Sequence, residues 1–330
     1  MSINIDNIKA NKGEKKTGFL TVAEMPTGTV DLPITIINGT KSGPILVITA
    51  GVHGCEYPGI RGAQIIAREI KASELTGALI IVHNVNVPGF VHQTAFYNPF
   101  DVTNLNRIWP GDLESGGFYG AGSISHLIAN TVYEKVQKKA THYIDLHGGD
   151  LPEDCPHFSA CKMSGDSEVD DVSRAMVKYS LAKYIMTATI SPGISRTTTD
   201  SAAKLKIPNV LHEAGRAGLL EKEKATKTAE AVRNIMKYLG MIEGKPIEPS
   251  KQIKIGSGVA IRAKHGGFFE SFVEAGDIVS EGQTIGKIYN VFGETVEEVK
   301  APKDGVILIV GIRPPKCAGD SLYNINDVVN

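Results

Sequence analysis

From about residue 44 to 240 the chain alternates short apolar runs with longer stretches whose apolar residues recur at helical spacing. The runs are PILVITA (44–50), ALIIVHNV (78–85), THYIDLH (141–147), AKYIMTATI (182–190) and IPNVLHE (207–213). Between them, 58–71, 123–139, 166–181 and 221–240 carry the helical period. Such alternation leaves few solutions, because each helix must bury one stripe and each central strand two faces. It predicts an α/β layer: a mixed, largely parallel sheet flanked by helices. The segment 18–37, with FLTV and ITIING, adds β structure ahead of it.

At GMIEGKPIEPSK (240–251) the pattern stops. Proline and glycine punctuate the chain, and short strand-like pieces follow with no helix period, among them SGVAIRA, GGFFESFV and DGVILIVG. The expected division is therefore a unit over 1–245 and a smaller all-β unit over 246–330.

Charge and composition narrow the class of function. Lys and Arg number 35 against 36 Asp and Glu, for a formal charge of −1, so no nucleic-acid or acidic-membrane partner is expected. The longest apolar runs are far short of the roughly 20 residues that span a bilayer. The opening MSINIDNIKANKGEKK has no apolar core of a secretory signal. Cys55, Cys155, Cys161 and Cys317 are scattered without a C-x-x-C pair, so reduced thiols and a cytoplasmic location are expected. A homo-oligomer is compatible with this composition. No G-x-S-x-G elbow, phosphate loop or G-x-G-x-x-G fingerprint occurs. GGFYGAG (116–122) reads as a plain glycine-rich loop before a helix.

Chemistry-bearing residues gather where strands end. His53 and Glu56 follow the run 44–50 in a glycine-flanked turn, His147 ends 141–147, and Glu213 ends 207–213. In a doubly wound sheet the carboxyl ends of strands are where ligands are met. H-x-x-E alone is a weak signal, and a strand-end histidine is commonly bonded to backbone. An ordinary loop and half of a metal site both remain open for that pair. Four such residues at the ends of three strands favour a metal. Two histidines and one carboxylate leave a coordination position for water, as in catalytic zinc sites, where the water's pKa falls to about 7. Glu213 then suits the proton-transfer role. Strand alternation puts Asp145 on the face of His147, where it can orient that ligand, and turns His212 away from Glu213's side.

GVHGCEYPG, NLNRIWPG, DLHGG and HEAG, in this order, resemble the succinylglutamate desuccinylase/aspartoacylase family, related to the zinc carboxypeptidases. The resemblance covers roughly 40–240. It implies a zinc carboxypeptidase-like fold and one zinc ion per chain on His53, Glu56 and His147, with Glu213 as general acid/base. It also implies Asn106 and Arg107 as the binders of a substrate carboxylate, for which a guanidinium fork is well shaped. The implied activity is hydrolysis of the amide bond of a small N-acylated substrate such as an N-acyl amino acid. The rival readings are a carboxypeptidase of short peptides and a non-catalytic, metal-dependent binding protein.

The chain departs from the family in two places. Where another arginine usually polarises the scissile carbonyl, this sequence has Ala95 and Phe96, which leaves Arg196 and Arg216 as stand-ins, Arg216 the better placed. Cys55 stands inside H-x-x-E where an acid is usual, and a packed thiol is its expected role. The carboxyl-terminal segment, with its AP-x-DG turn, is similar to the barrel-sandwich hybrid of biotinyl and lipoyl carriers. Those carry a modified lysine seven residues before Ala-Pro, where this chain has Glu294, so no covalent cofactor is expected.

Overall fold

The computed structural model describes residues 2–114, 122–190 and 196–329, so the glycine-rich stretch 116–122 lies outside the described residues except for Gly122. After a hairpin formed by Ile3–Ile5 and Ile8–Ala10 come β1 (Glu14–Met25), β2 (Gly28–Asn38), β3 (Lys41–Ala50), α1 (Tyr57–Glu69) and β4 (Thr76–Val82). Then follow α2 (Val87–His92), α3 (Ile124–Lys135), β5 (His142–His147), β6 (Glu153–Met163), α4 (Ser167–Tyr179), β7 (Tyr184–Thr189), α5 (Thr198–Lys204), β8 (Asn209–Arg216) and α6 (Lys222–Tyr238). The strands assemble in the order β1-β2-β4-β3-β5-β8-β6-β7. The pairs β4/β3, β3/β5, β5/β8 and β6/β7 are parallel, and the others antiparallel. The result is a mixed α/β sheet.

Period-two patterning explains why both faces are covered. Leu46, Ile48 and Ile81 point to one face and pack with the apolar stripes of α1, α4 and α6. Val47, Ile80, Val82 and Tyr143 point to the other and meet the amino-terminal hairpin, α3 and Trp109. The central strands are buried on both sides, which is why they read as continuous apolar runs. Among the described residues, no helix is long and apolar enough to cross a membrane.

One long strand, β6, escaped the sequence reading. Its EDCPHFSACKM contains Pro156, a residue that argues against a central strand because it lacks the ladder donor. The structure accommodates it at an irregularity, where the register with β8 shifts between Cys155 and Phe158. The short helix α5 was also missed; its capping box, Thr197 with Asp200, is visible only once Thr197 is known to start a helix.

Beyond α6 the elements are strands: β9 (Ile253–Arg262), β10 (Gly267–Ser271), β11 (Ile278–Val279), β12 (Thr284–Tyr289), β13 (Thr295–Lys300), β14 (Gly305–Gly311), β15 (Pro315–Lys316) and β16 (Ser321–Val329). They are not detached from the main sheet. β9 pairs parallel with β7 through Tyr184–Met186, and β14 pairs with the start of β6. Glu294 lies in the turn between β12 and β13, where its carboxylate accepts a bond from Asn290 Nδ2 at 2.7 Å.

The first turn of α1 abuts the tip of β5. A methyl group on Gly59 would sit 2.8 Å from the Leu146 carbonyl oxygen, a backbone atom that cannot swing aside. Replacing a helical glycine by alanine ordinarily gains about 1 kcal/mol. Overpacking a rigid contact costs about 1–3 kcal/mol. We therefore expect Gly59→Ala to lower the denaturation midpoint; a raised midpoint would show that α1 can move away.

Candidate functional site

The carboxyl ends of β3, β5 and β8 meet at one place. Gly51, with φ at +65°, turns the chain out of β3 and so delivers His53. Glu56 stands at the N-cap position of α1, yet its side chain makes no capping bond. Its carboxylate instead bridges the two imidazoles. Oε1 lies 2.7 Å from His53 Nδ1 and Oε2 lies 2.7 Å from His147 Nδ1. Oε2 also accepts the Gly148 N–H at 3.1 Å. All three residues are buried, and their ligand atoms fall within 4.8 Å of one another.

The remaining ring nitrogens are anchored. His147 Nε2 is 2.8 Å from Asp145 Oδ2, and Asp145 itself accepts from the Thr49 and Thr198 hydroxyls. His53 Nε2 is 3.2 Å from Asn104 Oδ1. A carboxylate can only accept, so each Nδ1 donates its proton to Glu56, and it is the loss of those protons that frees both Nδ1 lone pairs on the Glu56 side. Two imidazole nitrogens and one carboxylate, each oriented by a second partner, form a donor set suited to zinc.

Glu213 is adjacent. The β5/β8 register places it directly opposite His147, and the β6/β8 register opposite Phe158. Burial, reinforced by the negative charge of Glu56, pushes its carboxyl up to about 8. A cavity of about 430 Å³ opens over this cluster. Asn106 and Arg107 lie on its wall with Glu153 and Lys162, and its apolar lining includes Phe158, Met186, Leu211, and Leu308 and Ile309 from β14. The Asn106 carboxamide oxygen accepts the Thr198 N–H, which leaves its NH₂ to donate into the cavity.

Not every sequence candidate comes here. Arg216 is exposed, paired in register with Asp154 at the outer end of β8, and is not among the residues lining the cavity. The one-residue alternation of the strand, continued past Glu213, turns it away. Arg196 is exposed too, and its carbonyl accepts the Trp109 N–H at 2.9 Å. Cys55 is buried, with its thiol 3.6 Å from the Thr94 carbonyl oxygen. Where the family's arginine was sought, Phe96 adopts a left-handed backbone (φ +58°) and donates its N–H to Asp150. The Phe96 ring sits edge-on against His53 with centroids 5.2 Å apart. Sequence reading missed Asn104, Glu153 and Lys162. Asn104 lies inside the NLNR motif and was within reach; the other two depend on β6, which had not been recognised.

Protons compete with a metal for these donors. Burial alone would lower His147, but Glu56 and Asp145 outweigh it and hold the imidazolium well above the ordinary histidine value. Burial would raise Glu56, but His147 and His53 pull it down to about 2. The raised histidine stabilises the metal-free fold below about 6.5 and loses that effect as pH rises through its folded value. The lowered carboxylate stabilises above about 4.5 and loses it as pH falls through about 2. The raised Glu213 adds a loss that begins near pH 4.5, where the unfolded carboxyl ionises, and is complete above about 8. The chelator-stripped protein should therefore melt highest near pH 4.5 and lose stability above it. Over the alkaline range its zinc affinity should rise, because binding expels the His147 proton. Thermal melts and competition with a zinc indicator at several pH values check both; an affinity independent of pH would contradict this protonation scheme.

Comparison with known proteins places the chain among relatives of the same fold. A deacetylase of N-alpha-acetyl-L-2,4-diaminobutyric acid from Halomonas elongata is 27% identical over 324 residues, covering 94% of this chain and 91% of its own. A succinylglutamate desuccinylase from Silicibacter superposes with a TM-score of 0.87 at 24% identity, over 99% of this chain and 97% of its own. The product-bound ectoine utilization protein EutE (DoeB) from Ruegeria pomeroyi does so with a TM-score of 0.87 at 21% identity, over 97% and 98%. The sequence model of the succinylglutamate desuccinylase/aspartoacylase catalytic domain matches residues 42–239, and the chain belongs to that family.

Proposed function

We propose that the protein is a zinc-dependent hydrolase that cleaves the amide bond of an N-acyl amino acid or a similar small carboxylate-bearing amide. The observation that carries this reading is the meeting of His53, Glu56 and His147 with Glu213, Asn106 and Arg107 around one cavity. Residues 1–245 would form the catalytic unit, on a zinc carboxypeptidase-like sheet. Residues 246–330 would form an all-β unit, with Leu308 and Ile309 closing one wall of the cavity. Free cysteines at 55, 155, 161 and 317 fit a reducing cytoplasm. The Halomonas relative, named for removing an acetyl group from an amino acid derivative, supports this substrate class.

His53, Glu56 and His147 would hold the zinc ion. Bound there, zinc supplies Lewis acidity to the substrate carbonyl and makes a water molecule more acidic. The chain's own residues do the rest. Arg107 and the Asn106 NH₂ take the substrate carboxylate and fix the amide toward Glu213. Glu213 takes a proton from the water that attacks the amide carbon and returns it to the departing nitrogen, so a neutral amine leaves and the acyl carbon becomes a carboxylic acid. Burial and the nearby Glu56 charge make Glu213 a stronger base than an exposed glutamate. Phe96 over His53 limits water on that side.

Glu213→Gln preserves the shape of the side chain and removes the base. Turnover of N-acetyl amino acids, followed by amine release, should fall by about 10²–10⁴-fold. Metal content of the purified variant should not change. Full activity in the variant would remove Glu213 from the mechanism. Preference for short peptides over N-acyl amino acids would refute the substrate class.

A further inference from the structure

Three carboxylates line the cavity: Glu56, Glu213 and Glu153. The first is engaged by His53, His147 and Gly148, and the second is the base of the proposed hydrolysis. Glu153 has no such employment. It opens β6, and its backbone is pinned on both sides. Its N–H donates to the Asp150 carbonyl at 2.9 Å, and its own carbonyl accepts the Ala217 N–H at 2.7 Å. Among the described residues no hydrogen bond or ion pair holds its side chain.

A partly buried carboxylate without a partner is costly. Burial, then the charge of Glu56, pushes Glu153 up to about 7, and the pull of His53 and Arg107 does not offset this. Arg107 lines the same cavity, yet its hydrogen bond is to the Asn106 carbonyl, not to Glu153. Lys162, the other cation on the wall, already lies 3.4 Å from Asp200. The cavity thus holds a guanidinium and a carboxylate that do not satisfy each other, a template for a ligand with one charge of each sign. The ligand's carboxylate answers Arg107. Its positive charge cannot be the α-amine, because acylation turns that nitrogen into a neutral amide. The cation then sits elsewhere in the substrate, and on the amino acid that Arg107 holds by its carboxylate the remaining place is the side chain.

We propose that Glu153 is a specificity-determining residue that receives a side-chain ammonium group, so that the substrates are N-acyl amino acids carrying a second, basic amine. This rests on the deacylase reading above.

The test compares N-α-acetyl-L-2,4-diaminobutyrate with N-α-acetyl-L-norvaline, in which a methyl group replaces the ammonium, on the zinc-loaded enzyme and on Glu153→Gln. The native enzyme should prefer the cationic substrate by at least about 10-fold in kcat/KM. The variant should lose about 10–100-fold on that substrate, mainly through KM, and stay within about threefold on the norvaline compound. An equal loss on both would mark Glu153 as structural or as a proton donor and overturn the proposal, as would a native enzyme with no preference. Calorimetric titration with free L-2,4-diaminobutyrate and L-norvaline gives a readout without turnover. Binding of the diamino acid that disappears in Glu153→Gln, with no hydrolysis of either acyl compound, would sink the deacylase reading and keep only the role of Glu153 as receptor of a side-chain ammonium. Hydrolysis without a Glu153-dependent preference would sink this one alone. Neither binding nor hydrolysis would sink both.

Discussion

The parallel pairing of β5 with β3 on one side and β8 on the other is the constraint from which the site follows. Its register sets Asp145 opposite Thr49 and His147 opposite Glu213. Side chains in a strand alternate strictly, so a slip of one residue would send His147 to the far face and bring Leu146 to the cavity. That slip is opposed by burial. Ile144 and Leu146 belong to the core beneath α1 and α6, while Tyr143 belongs to the core on the other face. Hydrophobic packing thereby positions the polar groups to within a residue, although it touches none of the chemistry.

Within that frame, electrostatics decide how the donors are held. A carboxylate sealed between two imidazoles would be unfavourable if either partner were removed, since breaking a buried pair costs about 3–5 kcal/mol. Glu56 is offset by His147, His147 by Asp145, and Asp145 by the hydroxyls of Thr49 and Thr198. The chain of partners runs from the cavity into α5, so the helix that covers this face of the sheet also stiffens the ligand geometry.

How much of this could be read from the sequence depended on whether the signal was local. His53, Glu56, His147 and Glu213 sit at ends of apolar runs, so strand periodicity was enough to bring them to one edge. Asp145 followed from its two-residue offset to His147. The rest needed contacts that spacing does not encode. Pro156 disguised β6, and with β6 hidden neither Glu153 nor Lys162 could be assigned to a wall. Arg216 attracted attention because it is three residues from Glu213 in sequence. A strand carries that distance outward along the sheet, not into the cavity, and Glu213 and Arg216 differ in parity. The attachment of β9 and β14 to the main sheet had no local signal, being a pairing between residues far apart in the chain, Tyr184 with Ile253 and Glu153 with Gly311.

That attachment has a consequence for solubility. β7 would otherwise be the last strand of the eight, with one row of amide and carbonyl groups unsatisfied, and such a border recruits strands from other molecules. β9 pairs with it at Tyr184, Ile185 and Met186. The opposite border, β1, has no covering strand among the described residues, but exposed lysines at 15 and 16 discourage docking there. Shortening the chain near residue 246 would strip the guard from β7, and the truncated protein would be prone to join edge to edge with its own copies.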